Sequence, residues 1–329
     1  MTSMPNAASD TMPTFDRLLV ATDFSVASQA ACRTAIDTCF SLGASLVILH
    51  VFNSASAPSS VPAGAVSSSA FAFNSDGKEA PSLYEQCRQS LENLRRQAAL
   101  AGVKCEAILG KGAATAVILE TIAKNKIDLT IMGTSALHGL ERIVFDSTTE
   151  AVLRQAPCPV LTVGPRARNS EGALQTVGPV VFATDFHFST IHAIRFAACF
   201  SQLTESPLHC LHVMPRTLEA CAEYQVVPTI MNEALHELAA ESGVVFEAPI
   251  CATTYGSEVS NSVVDYARQH KAKLIVLGVR RASLEASQTH LHIAYRIITE
   301  ASCPVLTMAF ATQPNSAIAP SKRKAAVAV

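Results

Sequence analysis

The chain has 329 residues, which at roughly 150 residues per domain implies two domains. Apolar residues make up 49% and charged residues 16%, against about 25% charged in a typical soluble protein. That balance excludes a disordered chain and calls for strands buried on both faces or for a large interface. The net charge of −2 gives no footprint for nucleic acid or an acidic membrane surface, and no apolar run reaches the roughly 18 residues of a membrane span.

Met1–Asp16 is polar and small, without the basic start and apolar centre of an export signal, so a cytoplasmic protein is expected. Met1–Thr14 is expected to be a disordered tail. Arg17–Thr22 is a short apolar run and reads as a buried strand. Ser25–Leu42 carries Ala31, Ala35, Cys39 and Leu42 at helical spacing and stops at Gly43. Ser45–Val51 is a second strand. Asn53–Ala80, rich in Ser, Ala and Pro, reads as a long loop, either a lid or disordered. Pro81 opens a helix with Leu83, Cys87, Leu91, Leu94 and Ala98 on one stripe. A strand at Val103–Leu109, a helix at Ala113–Lys124, a strand at Asp128–Met132, a helix at Ser147–Gln155 and a fifth strand at Cys158–Val163 complete a first domain over 15–165. Residues 166–177 read as a linker.

The pattern then repeats. Ala21-Thr22-Asp23-Phe24 recurs as Ala183-Thr184-Asp185-Phe186, and Leu49-His50-Val51 as Leu211-His212-Val213, both 162 residues further on. Cys158-Pro159-Val160-Leu161-Thr162 recurs as Cys303-Pro304-Val305-Leu306-Thr307, and Gly133 meets Gly278, both 145 further on. The drop of 17 places a shorter connection in the second copy, near Pro215–Val227. Ordered matches with one length change indicate tandem homologous domains. The second spans 178–310, with a tail over 311–329. Strands alternating with helices give two tandem doubly wound α/β domains, each with a five-stranded parallel sheet.

Such folds bind ligands beyond the carboxyl ends of the strands, where the strand order reverses. That singles out Asp23, His50-Val51, Gly110 and Gly133 onward, with their counterparts. Asp23 either contacts a ligand or caps the turn before Ser25. His50 either contacts a ligand or packs under the loop. Gly133-Thr134-Ser135 runs past Gly139 into Asp146-Ser147-Thr148 at a helix start. Free N–H groups, the Ser147 and Thr148 hydroxyls and the charge of Arg142 suit an anion there, although ordinary capping uses the same residues. The ten cysteines form no C-x-x-C and read as small buried thiols in a reducing compartment. His290-x-His292 lacks a nearby carboxylate or thiol and reads as a helix start, not a metal site. With no Gly-x4-Gly-Lys-Ser/Thr and no Gly-x-Ser-x-Gly, no catalytic or metal-binding residue is assigned.

Val20-Ala21-Thr22-Asp23-Phe24-Ser25, Leu49-His50-Val51, Ile131-Met132-Gly133-Thr134 and Ala151 through Leu161, with the repeat Ile298 through Leu306, resemble the universal stress protein (UspA) family. The resemblance covers both copies. It implies a Rossmann-like fold of the adenine nucleotide alpha hydrolase type, dimerisation through the fifth strand and, in one branch, ATP binding through Gly-x2-Gly-x9-Gly-Ser/Thr. In that branch the acidic residue after the first strand and the end of the second strand hold adenosine, while the glycines and following hydroxyls hold phosphate. Asp23, Val51, Gly133, Ser147 and Thr148 match, and Gly139 is of a kind often seen in the loop; Ala136 and Asp146 stand where the other two glycines belong. Ala136 adds a Cβ where backbone approaches phosphate, and Asp146 sets a carboxylate at the helix start. The second copy keeps Asp185, Val213 and Gly278 but has Arg281 and Leu291 at the glycine positions and His292 for the hydroxyl. The expectation is a non-enzymatic cytoplasmic stress-response module whose first domain binds ATP or another adenine nucleotide, with Mg if ATP and with slow hydrolysis as the most catalysis to expect. The alternative is a scaffold or regulator with both sites degenerate, acting through protein partners. The two fifth strands, at Cys158–Val163 and Cys303–Met308, are expected to pair as an internal pseudo-dimer. A homodimer is the other assembly such an edge permits.

Overall fold

The computed structural model describes residues 13–52, 83–134, 137–139, 142–144, 147–167, 177–187, 192–221, 225–242, 249–281 and 287–311. The Asn53–Ala80 loop, most of both tails and most of the linker lie outside these residues.

The first copy runs β1 (Arg17–Ala21), α1 (Val26–Leu42), β2 (Ser45–Phe52), α2 (Leu83–Leu100), β3 (Cys105–Lys111), α3 (Ala114–Lys124) and β4 (Leu129–Gly133). A short hairpin, β5 (Leu137–Gly139) and β6 (Arg142–Val144), follows, then α4 (Ser147–Gln155) and β7 (Val160–Val163). The second copy runs β8 (Val180–Ala183), α5 (Ile194–Leu203), β9 (Leu208–Pro215), α6 (Val227–Ser242), β10 (Ile250–Gly256), α7 (Val259–Gln269), β11 (Leu274–Arg281), α8 (Ser287–Glu300) and β12 (Val305–Ala311). The caps follow the residues. The Ser25 hydroxyl accepts from the Ser28 N–H at the start of α1, and Gly43 ends that helix in the left-handed conformation with φ 66°. The fifth strand starts at Val160 and not at Cys158, because Pro159 has no N–H to give a ladder. The hairpin was not foreseen, and α8 begins three residues ahead of the His290 that the sequence marks as a helix start.

Ten strands form one sheet in the order β10-β9-β8-β11-β12-β7-β4-β1-β2-β3. Within each copy's half of this sheet all pairings are parallel, and the order reverses between the first and fourth strands of the copy. The copies join through β7 and β12, which run antiparallel with Leu306 opposite Leu161 and Thr307 opposite Val160. This is the seam expected from the repeated apolar fifth strand.

The seam is packed as a core. Leu161 and Leu306 are fully buried, and the Thr307 hydroxyl donates to the Val160 carbonyl at 3.2 Å. Gly164 lies so close to the Ile298 carbonyl that a Cβ would overlap it. Tyr295 of α8 lies beside Glu150 and Arg154 of α4, and Arg166 pairs with Glu300 at 2.5 Å. Phe15 stacks at 5.0 Å on Phe200 of the second copy. Pro13, assigned to the tail in the sequence, accepts a hydrogen bond from the Cys199 thiol at 3.2 Å. The two apolar layers flanking the sheet each contain residues from both copies. All ten cysteines are free and seven are buried; burial pushes the Cys32, Cys39 and Cys303 thiols up to about 12, so they serve as packing groups.

Because both layers cross the seam, the copies should unfold together in urea. Thiol labelling read by mass spectrometry should show Cys32 and Cys39 becoming reactive at the same denaturant concentration as Cys210 and Cys303. Labelling of one copy at a clearly lower concentration would contradict a shared core.

Candidate functional site

The turn after β1 is built from a strained residue held in place by its neighbours. Phe24 has φ 64°, a left-handed conformation that a bulky side chain rarely adopts. Its N–H donates to the Thr22 hydroxyl at 3.0 Å, its carbonyl accepts from Gln29 Nε2 at 2.9 Å, and its ring packs on His50 at 4.4 Å. Asp23 Oδ1 accepts from the Ser25 N–H at 2.9 Å, so the turn-capping role is real. The exposed carboxylate also lines the cleft. Burial pushes the Asp23 carboxyl up, but hydrogen bonds from the Ser25 and Ser28 hydroxyls and the Ser25 N–H outweigh it and hold the group below its ordinary value. It is an anion at neutral pH. His50 Nδ1 sits 2.7 Å from the Thr22 carbonyl. A carbonyl only accepts, so Nδ1 carries a proton, and in the neutral tautomer this leaves Nε2 as an acceptor.

The second copy repeats this construction. Phe186 has φ 57°, His212 Nδ1 donates to the Thr184 carbonyl at 2.8 Å, and Asp185 Oδ1 accepts from the His187 N–H at 3.0 Å.

In the first copy the turn borders a cleft of about 280 Å³ between the ends of β1 and β4. Asp23, Val51, Gly133 and Thr148 all line it, together with His50. Gly133 is required by packing: a Cβ there would overlap the Ala27 carbonyl, so its absence lets α1 lie against the end of β4. Thr134 is buried beside the cleft, with its N–H bonded to the Val163 carbonyl at 3.1 Å. Gly139 and Arg142 face each other across the hairpin, with side chains outside the described residues. Ser147 opens α4, and its side chain is likewise not described; Ala136 and Asp146 lie outside altogether.

Sequence reading missed Thr149. It lines the cleft, is 1% exposed, and its hydroxyl has no hydrogen-bond partner among the described residues. The available signal was the hydroxyl run Ser147-Thr148-Thr149. Ser25, Ser28 and Thr22 add further hydroxyls to the lining.

The second cleft, about 190 Å³, is lined by Asp185, Val213 and Gly278 at the matching positions. Thr184 and His212 also line it, and the rest of its lining is aliphatic. Among the described residues, no group of three or more His, Cys, Asp or Glu is placed to hold a metal, and no helix is long and apolar enough to cross a membrane.

The model of the Universal stress protein family matches residues 14–164 and again 176–308. The chain belongs to the universal stress protein family. The universal stress protein YxiE of Bacillus subtilis is 29% identical over 149 residues, which is 45% of this chain and 99% of that one. A universal stress protein of Methanocaldococcus jannaschii is 38% identical over 81 residues, a match that takes 25% of this chain and 48% of that relative's own length. Among solved structures, a universal stress protein from Archaeoglobus fulgidus shares the fold with a TM-score of 0.66 at 18% identity, covering 89% of this chain and 98% of that one. A putative universal stress protein from Pseudomonas aeruginosa gives a TM-score of 0.56 at 16% identity, covering 91% and 95%. This universal stress protein thus carries two copies of the family unit in one continuous sheet.

The packing role of Gly133 is testable without a ligand. Gly133→Ala should lower stability by about 1–3 kcal/mol in equilibrium denaturation, because the methyl forces α1 away from β4. An unchanged midpoint would show that the glycine is not needed for packing.

Proposed function

We propose that the protein is a non-catalytic, cytoplasmic stress-response module whose first cleft binds an adenine nucleotide. The observation that carries this reading is Thr149. A buried hydroxyl left unpaired costs about 1–3 kcal/mol, and a ligand oxygen at the start of α4 would remove that cost. The first turn of α4 has no earlier carbonyl in its own helix to accept its N–H groups, and the helix dipole favours negative charge there. At the other end of the cleft, the Asp23 carboxylate and His50 Nε2 are acceptors suited to ribose hydroxyls. Family resemblance supports the same orientation, with Asp23 and Val51 at the nucleoside and Gly133, Thr134, Gly139, Arg142, Ser147 and Thr148 toward phosphate.

The size and charge of the site favour a short phosphate. Ligand pockets span roughly 300–1,000 Å³, and a cavity of about 280 Å³ falls just below that range. Asp146 ahead of α4 repels phosphate, so ATP would need Mg²⁺ to offset it, whereas AMP presents less charge. The same residue and Ala136 favour a second reading, in which the cleft stays empty and the protein acts as a scaffold for protein partners.

Calorimetry with AMP, ADP and Mg-ATP, together with mass spectrometry of nucleotide released from the purified protein, separates the two. Saturable binding of one nucleotide per chain is expected, with Thr149→Val weakening it about tenfold (about 1.4 kcal/mol). Asp146→Gly should raise ATP affinity. No released nucleotide and no heat from any of the three would leave the scaffold reading.

A further inference from the structure

The two clefts occupy the same place in two copies of one fold, yet their phosphate-facing walls differ in three ways. The side chains differ first. With the 145-residue spacing, Thr134, Thr148 and Thr149 of the first copy become Val279, Ile293 and Ala294 in the second, and all three replacements line the second cleft. Ala114 likewise becomes Val259. No hydroxyl of a described residue remains on this wall.

The helix differs next. α4 begins at Ser147, whose counterpart is His292, but α8 begins at Ser287, five residues earlier. At 1.5 Å per residue its start lies about 7.5 Å further along the axis. Ile293 and Ala294 are the seventh and eighth residues of the helix, so their N–H groups are committed to carbonyls four residues back.

The loop differs last. β4 ends at Gly133, whereas β11 continues past Gly278 to Arg281 and pairs with β12 as far as Ala311. β11 thus carries its ladder with β12 three residues beyond Gly278, whereas β4 ends at Gly133. Along the α4–α8 wall the second cleft therefore lacks the hydroxyls and the helix start of the first, although Val259 at the start of α7 still borders it.

What remains is a cavity of about 190 Å³ with aliphatic walls and one polar rim, made by Thr184, Asp185 and His212. An apolar cavity of ~150 Å³ is enough to stay dry and hold a benzene-sized molecule. The rim is an accepting one: Asp185 supplies a carboxylate, and His212, with Nδ1 given to the Thr184 carbonyl, keeps Nε2 as an acceptor. We propose that the second cleft is a binding site for a small neutral alcohol or phenol, with its hydrocarbon body among Val263, Ile293 and Ile297 and its hydroxyl donating to the Asp185–His212 rim. Burying an anion against these walls is unfavourable, which excludes nucleotides and carboxylates. The assignment is independent of what the first cleft binds.

The test uses the full-length protein with labelled Ile, Leu and Val methyl groups, followed by NMR during titration with benzyl alcohol, toluene, benzoate and AMP. Benzyl alcohol should shift the Val263, Ile293 and Ile297 methyls saturably and leave Ile118 of the first cleft unmoved. Toluene and benzoate should bind there at least tenfold more weakly, and AMP should not shift these methyls. Ile293→Thr, which restores the first copy's residue, should weaken benzyl alcohol about fivefold or more, and Ala294→Phe should abolish binding by filling the cavity. The Thr variant is the milder change and keeps the test available if the Phe variant fails to fold. No saturable shift up to the solubility limit, or binding of toluene, benzoate or AMP as strong as that of benzyl alcohol, would overturn the proposal.

Discussion

The antiparallel ladder between β7 and β12 does more than join two halves. Each copy ends in a strand that is apolar on both faces, and such a strand with a bare edge is a site for uncontrolled association. Pairing the two edges satisfies their backbone groups and lets both apolar layers run unbroken across ten strands. It also sets the geometry of the clefts. Because the two fifth strands oppose one another, the carboxyl ends of the strands in one copy point away from those in the other. The two clefts therefore open at opposite ends of the sheet, each served by its own turn and helix starts.

This arrangement frees one cleft to change without the other. The side built on the turn after the first strand is the same in both copies: the left-handed Phe, the Asp turn and the His-to-carbonyl bond recur with nearly the same geometry. The opposite wall has diverged in side chains, helix start and strand length together. The wall helices still meet across the seam, where Tyr295 of α8 lies beside Glu150 and Arg154 of α4. That contact anchors α8 near its middle, where the flanking Ile293, Ala294 and Ile297 form the wall of the second cleft.

The duplication and the order of elements were legible because they rest on signals that survive in one dimension: apolar runs, the Ser25 cap, the Gly43 stop and a repeat at fixed spacing. The site residues that follow from strand ends, Asp23, Val51 and Gly133, were legible for the same reason. The meaning of Gly133 was not, since its need to lie under Ala27 depends on how α1 crosses β4. Thr149 was hidden in a hydroxyl run, because only tertiary packing separates the hydroxyl that is buried and unpaired from its neighbours. The β5–β6 hairpin escaped because three-residue strands carry too little alternation to be read. The earlier start of α8 escaped because the segment ahead of it has no strong capping signal. The reading of His290-x-His292 as helical was sound, but the helix extends beyond it.

The account rests centrally on one physical difference in the α4/α8 wall: there the first cleft meets a helix start, and the second meets the middle of a helix. Amide hydrogen exchange at two equivalent positions tests this directly. Thr149 is in the first turn of α4 and Ala294 is in the third turn of α8. In the ligand-free protein the Thr149 amide should exchange at least about a hundredfold faster than the Ala294 amide, because only the latter is held within its helix. Equal protection at the two positions would mean that the walls have not diverged in their backbone, and the distinction between the clefts would fall.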